Sequence, residues 1–248
     1  MQIIISPAKK MLTDTNSLDC ASLPRFLSQT EQLASTLQAM SYDQLKSLWK
    51  CNDQITLENM QRLEKMDLRR ANTPAILAYD GIQYKHIAAG VFTVDELNYI
   101  QSHLRILSGF YGLLSPLDAI VPYRLEMQAK LAVNGAKNLY AFWGESLAQA
   151  LFQESRCILN LASKEYSQCI SKHLLPDVCF ITCTFGQYKG EKLVERAPLC
   201  KMARGEMVRF LAEHNITDPQ GVKDFSQLGF RFSSHLSTAT NFIFIQED

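Results

Sequence analysis

The sequence predicts one domain over residues 1–248 of mixed α/β (α+β) class: a central mixed sheet flanked by helices, with a helix-hairpin-helix-like element. Three observations predict it. Short apolar runs such as Ile3-Ile4-Ile5 and Cys157-Ile158-Leu159 stop at polar turn residues, as strands buried on both faces do. Between such runs, apolar residues recur at three- and four-residue intervals, the period of an amphipathic helix. No internal repeat, low-complexity tract or Pro/Gly linker divides the chain, and 47% hydrophobic residues in 248 can form a sizeable core.

In chain order, Ile3–Ile5 is a buried strand ended by Ser6-Pro7. Leu23–Met40 is a helix with Phe26, Leu33, Leu37 and Met40 on one side. Ser41 and Gln44 form a capping box for a second helix through Leu45, Leu48 and Trp49, and Met60, Leu63 and Met66 continue helical spacing. Ala75–Tyr79 reads as a strand closed by the turn pair Asp80-Gly81. The best-marked helix start is Thr93 with Glu96, where Phe92 and Leu97 occupy hydrophobic-staple positions. Val94, Leu97, Ile100, Leu104 and Leu107 then predict a helix ending at Ser108-Gly109. Leu139–Leu151 reads as one helix and Cys157–Leu161 as a strand, after which Ser163 caps a short helix through Ile170. Val178–Gln187 and Glu191–Arg196 form a hairpin about Lys189-Gly190. Ala203–Leu211 is helical, and Gly229–Phe232 and Asn241–Ile245 are closing strands.

Lys+Arg and Asp+Glu are both 25, so a basic surface requires local clustering. The start Met1-Gln2-Ile3-Ile4-Ile5-Ser6-Pro7 lacks the pattern of a secretory signal, and no apolar run is long enough to cross a bilayer. Seven widely spaced cysteines fit free thiols in a reducing cytoplasm better than a disulfide framework. A cytoplasmic protein without a membrane partner is expected.

Ser6-Pro7-Ala8-Lys9-Lys10 leaves the first strand with a hydroxyl and two ammonium groups, where open α/β sheets bind ligands. The plain alternative is a solvated turn. Asn160 and Ser163 repeat this layout at a strand end and helix start, although an ordinary N-cap explains Ser163 equally well. Leu107-Ser108-Gly109-Phe110-Tyr111-Gly112 resembles the turn of a helix-hairpin-helix, whose backbone amides contact phosphate; the alternative is a glycine helix cap. Arg124 and Glu126 project from one face if extended, as an anion clamp with a base or as a structural ion pair. Lys201, Arg204 and Arg209 share a helical sector. No P-loop, dinucleotide fingerprint, nucleophile elbow or zincin motif occurs, and the histidines and cysteines lack ligand spacing, so neither metal nor cofactor is expected.

The chain resembles the peroxide-stress protein YaaA family, formerly a family of uncharacterised proteins. Ile4-Ile5-Ser6-Pro7-Ala8-Lys9, Leu104–Leu114, Pro116-Leu117-Asp118 and Pro122–Met127 carry the first half of the resemblance. Phe142-Trp143-Gly144, Asn160–Tyr166, Ala203-Arg204-Gly205 and Gly229-Phe230 complete it over nearly the whole chain. Lys10 departs from the polar or small residue expected there. The resemblance implies cytosolic protection during hydrogen peroxide stress, an association with lowered free iron, and an α/β fold whose basic cleft and helix-hairpin-helix element bind DNA.

Two functional readings follow. In the first, the protein binds DNA by structure more than sequence and helps limit iron-dependent oxidative damage. Gly109 and Gly112 then supply backbone contacts, Lys9, Arg124, Lys201 and Arg204 neutralise phosphate, and Ser6, Asn160 and Ser163 donate hydrogen bonds. In the second, the protein is an enzyme acting on a nucleotide or other small phosphorylated ligand, with Glu126 as acid/base, Arg124 and Lys9 as clamp, and Tyr166 as proton donor. Direct iron binding is a third, less favoured reading.

Overall fold

Ile3, Ile4 and Ile5 are wholly buried in a strand that has a parallel neighbour on either side. A computed structural model describes residues 1–246. The main sheet contains β1 (Gln2–Ile5), β2 (Leu104–Ser108), β3 (Gly112–Leu114), β4 (Cys157–Asn160), β5 (Cys179–Lys189), β6 (Lys192–Val194), β7 (Phe230–Phe232) and β8 (Asn241–Gln246). Their order is β7-β8-β5-β4-β1-β2-β3, with β6 paired to β5. The inner strands β8, β5, β4, β1 and β2 are parallel, whereas β3, β6 and β7 pair antiparallel. The sheet is therefore mixed, and its parallel centre explains the all-apolar runs of β1 and β4, which are covered on both faces.

The principal helices are α1 (Leu27–Gln38), α2 (Tyr42–Trp49), α3 (Asp53–Glu64), α4 (Ile82–Ile87), α5 (Val94–His103), α6 (Ser146–Glu154), α7 (Lys164–Ser171) and α8 (Ala197–Glu213). Both expected capping boxes form, at Ser41/Gln44 and Thr93/Glu96. The long helix α8 packs on α4 at a close crossing. A Cβ on Gly205 would lie 2.3 Å from the Gln83 carbonyl oxygen, so only glycine admits that approach. One continuous hydrophobic core joins the sheet to the helices.

Three expected elements differ. The helix from Val94 stops at His103, and Leu104–Ser108 is strand β2 instead of its final turns. This segment pairs parallel with β1 and antiparallel with β3, and Leu104, Ile106, Leu107 and Ser108 are buried. An apolar run covered on both faces satisfies either periodicity, and sheet pairing decides between them. The Gly109–Gly112 turn consequently links two strands and is not a helix-hairpin-helix. Ala75–Tyr79 is mainly a short helix, Ala75–Ala78, between two-residue strands at Thr73–Pro74 and Tyr79–Asp80. Leu139–Leu151 breaks into Leu139–Trp143 and α6 at Gly144, whose φ of 51° no regular helix accommodates.

Candidate functional site

The strand order creates a switch point. The chain leaves β1 toward β2 on one side and leaves β4 toward β5 on the other, so a crevice opens beyond the carboxyl ends of β1 and β4. The segments entering it are Ser6–Lys9 and Leu161–Ser163. They are tied together: the Leu161 amide donates to the Ile4 carbonyl at 2.9 Å, and the Ser163 amide donates to Ser6 Oγ at 2.8 Å. Ser6 Oγ in turn donates to Ser163 Oγ at 3.2 Å, and Ser163 makes no side-chain bond to its own helix. Tyr84 Oη on α4 donates to the Ser6 carbonyl at 2.9 Å, closing the crevice from a third side.

A cavity of about 440 Å³ occupies this position. Of the residues singled out in the sequence, Ser6, Lys9, Arg124, Glu126, Ser163, Tyr166, Lys201 and Arg204 line it. Lys201 and Arg204 arrive from α8, one helical turn apart, whereas Arg209 pairs with Glu213 and lies over the Phe92 ring. Asn160, Gly109 and Gly112 lie outside the lining. Asn160 is buried, accepts from the Ala162 amide and donates to Thr182 Oγ1, so it ties the end of β4 to the body of β5. The Phe110 and Tyr111 amides donate to Ser108 Oγ, and the Gly109 carbonyl accepts from Trp143 Nε1.

A second concavity of about 890 Å³ shares Lys9 and Glu126 with the first and continues along α2, past Asp43, Ser47, Trp49, Lys50 and Lys130. Lys9 Nζ and Glu126 Oε2 meet at 3.0 Å, and Arg124 Nη2 reaches Glu126 Oε1 only at 3.5 Å. One carboxylate thus serves two cations where the cavities meet. On the rim, Asp80 is held below the usual carboxylate range, chiefly by its hydrogen bond with Lys10, and also contacts Lys85. Neither Lys201 nor Arg204 has an ion pair among the described residues.

Four buried side-chain donors lack a hydrogen-bond partner among the described residues: Gln83 Nε2, Arg124 Nε, Arg204 Nε and Trp49 Nε1. The first three belong to residues of the first cavity and the fourth to a residue of the second. Buried donors are expensive to leave unmade, and these four belong to residues that line the two cavities. Glu165, part of the Asn160–Tyr166 motif but given no role in the sequence reading, brings a different chemistry. Burial first, and the neighbouring Glu126 charge second among the raising causes, push its carboxyl above the ordinary value, while the Gln128 amide bond opposes them. Burial also raises the Tyr84 and Tyr166 hydroxyls, which stay neutral and able to donate. Gln83 and Tyr84 were missed as well, although Asp80-Gly81 marks the entry to their helix. A Cβ on Gly81 would sit 2.8 Å from the Ala8 Cβ, and that close approach seats α4 against the exit of β1.

The model of the family described as "Peroxide stress protein YaaA" matches residues 1–236. The chain belongs to the YaaA peroxide-stress family. Among curated relatives, a UPF0246 protein of Lachnoclostridium phytofermentans is 50% identical over 99% of this chain and 96% of its own length. A UPF0246 protein of Lactiplantibacillus plantarum is 50% identical over the full length of both, and one of Agathobacter rectalis is 49% identical over 98% of each chain. For this YaaA-family chain, no helix among the described residues is long and apolar enough to cross a membrane. No group of three or more His, Cys, Asp or Glu among those residues is arranged to hold a metal ion.

Proposed function

We propose that this YaaA-family protein binds DNA through its phosphates, along the trough formed by the two adjoining cavities, and so limits iron-dependent damage during peroxide stress in the cytoplasm. The observation that carries this reading is the set of unpartnered buried donors confined to the trough, together with Lys9, Arg124, Lys201 and Arg204. Guanidinium groups grip phosphate oxygens bidentately, and lysines add neutralising charge without reading bases. The trough runs along α2, which Lys50-Cys51-Asn52 joins to α3, with Lys50 in the left-handed region and Asn52 capping the next helix. This short helical hairpin takes the role expected of Gly109 and Gly112. Covering phosphates would also displace cations held at them, iron included.

Fluorescence anisotropy of a labelled duplex, titrated at two ionic strengths, tests the reading. Affinity should fall steeply with salt. Arg204→Ala and Arg124→Ala should each weaken binding about tenfold or more, since a hydrogen bond to a charged group contributes about 1.5–3 kcal/mol. Salt-indifferent binding, or none, overturns it.

A second reading, an enzyme acting on a nucleotide or other phosphorylated small molecule, draws support from Glu165 and Glu126. A carboxyl raised by burial beside a carboxylate held by cations provides an acid and a base in one cavity. Turnover in a screen of phosphorylated metabolites, abolished in Glu126→Gln, would favour it.

A further inference from the structure

At the sheet edge opposite the trough, β4 and β5 begin side by side with cysteines. Cys157 and Cys179 are register partners in this parallel pair. Register partners project from the same face, and neighbouring strands lie about 4.8 Å apart, within the Cα separation of about 4.4–6.8 Å that disulfides span. The Cys179 amide donates to the Arg156 carbonyl at 2.8 Å, which fixes the two strand starts against each other. Cys179 is exposed and Cys157 partly buried, and both are free thiols, whereas Cys169, Cys183 and Cys200 are buried. Burial raises the Cys157 thiol first, and its neighbour Cys179 raises it further.

We propose that Cys157 and Cys179 are a peroxide-sensitive pair that closes to a reversible disulfide. The exposed Cys179 sulfur attacks one oxygen of hydrogen peroxide and the O–O bond breaks. Cys179 becomes a sulfenic acid, and the departing hydroxide takes the thiol proton to leave as water. The Cys157 sulfur then attacks the Cys179 sulfur and the S–O bond breaks. The second hydroxide leaves as water with the Cys157 proton. Two thiols lose two electrons in all, and one hydrogen peroxide is reduced to two waters.

The link encloses residues 158–178, the crossover that carries Ser163, Glu165 and Tyr166 to the cavity. It is therefore a brace on one wall of the site, applied from the far end of the same strands.

The test treats the full-length protein with hydrogen peroxide, blocks remaining thiols with an alkylating agent, and maps non-reduced peptides by mass spectrometry. The expected product is a Cys157–Cys179 linked peptide, lighter by two hydrogens than its parts and abolished by dithiothreitol. Alkylation should be lost together at both positions. In Cys157→Ser, Cys179 should stop at a sulfenic acid that dimedone traps. Full alkylation of both cysteines after peroxide, or Cys179 linked to another cysteine or a second molecule, overturns the proposal. The wild-type map decides this even if a variant fails to fold. Hydrogen exchange over residues 158–178 should slow in the linked form, and unchanged exchange would overturn the bracing role.

Discussion

Arg105 and Arg124 are almost equally buried, with side chains 12% and 14% exposed, yet their surroundings differ in kind. Arg105 binds Glu154 at 2.8 Å and donates to the Gln101 and Leu104 carbonyls, so its donors are spent on the fold. Arg124 has one long ion pair and a buried Nε without a partner among the described residues, so its donors are not all spent on the fold. Gly109 acts at one remove. Its Cβ would lie 2.7 Å from the Leu125 carbonyl oxygen and 2.9 Å from Glu126 C and Met127 N, so substitution must push back the backbone beside Arg124 and Glu126. Gly109→Ala should cost about 1–3 kcal/mol, read as a lower urea midpoint, and should also weaken ligand binding. Glu165 sets a pH dependence. Its folded value is raised, so between the ordinary carboxylate value and that raised value the native state holds more proton than the unfolded chain, and stability falls as pH rises. Urea titrations across this window should show a shallower decline in Glu165→Gln. An identical slope would mean that Glu165 ionises as freely when folded as when unfolded.

At the scale of elements, local signals held where water meets one side only. Thr93 accepts from the Glu96 amide and Glu96 accepts from the Thr93 amide, so the start of α5 is settled within four residues. Thr93→Ala should cost about 1 kcal/mol, measured as a lower denaturation midpoint. Ser41 caps α2 by the same reciprocal pair with Gln44, and Asn52 caps α3 by accepting from the Ile55 amide, which stabilises the helical hairpin beside the second concavity. The end of α5 is a different matter. Its continuation, Leu104–Ser108, keeps helical spacing but is wedged between β1 and β3, and the partners that decide its form are distant in sequence. Ser163 shows the same dependence: it stands at an N-cap position, yet its amide and hydroxyl are directed to Ser6, far away in the chain.

At the scale of the molecule, the site follows from strand order. Reversal of the winding direction between β1 and β4 opens the crevice, and α4 and α8, joined through Gly205, bring Tyr84, Lys201 and Arg204 to it. If DNA lies along both cavities, as proposed, it presents more phosphates to them than a ligand in a single pocket does. An oligonucleotide should therefore compete for the protein with a steeper salt dependence than a mononucleotide, as read by anisotropy competition. Equal slopes would favour the small-molecule reading. The chain by itself determined the fold class, the two capping-box helix starts, the buried strands β1 and β4 and most of the polar residues of the first cavity, because periodicity, capping and polar strand exits are local chemistry. Only the tertiary structure decided that Leu104–Ser108 is a strand, that Gly109 is a packing glycine, and that Lys9, Arg124, Lys201 and Arg204 share one cavity while Asn160 braces the sheet. These outcomes depend on which distant segments pair, and no sequence window contains both partners.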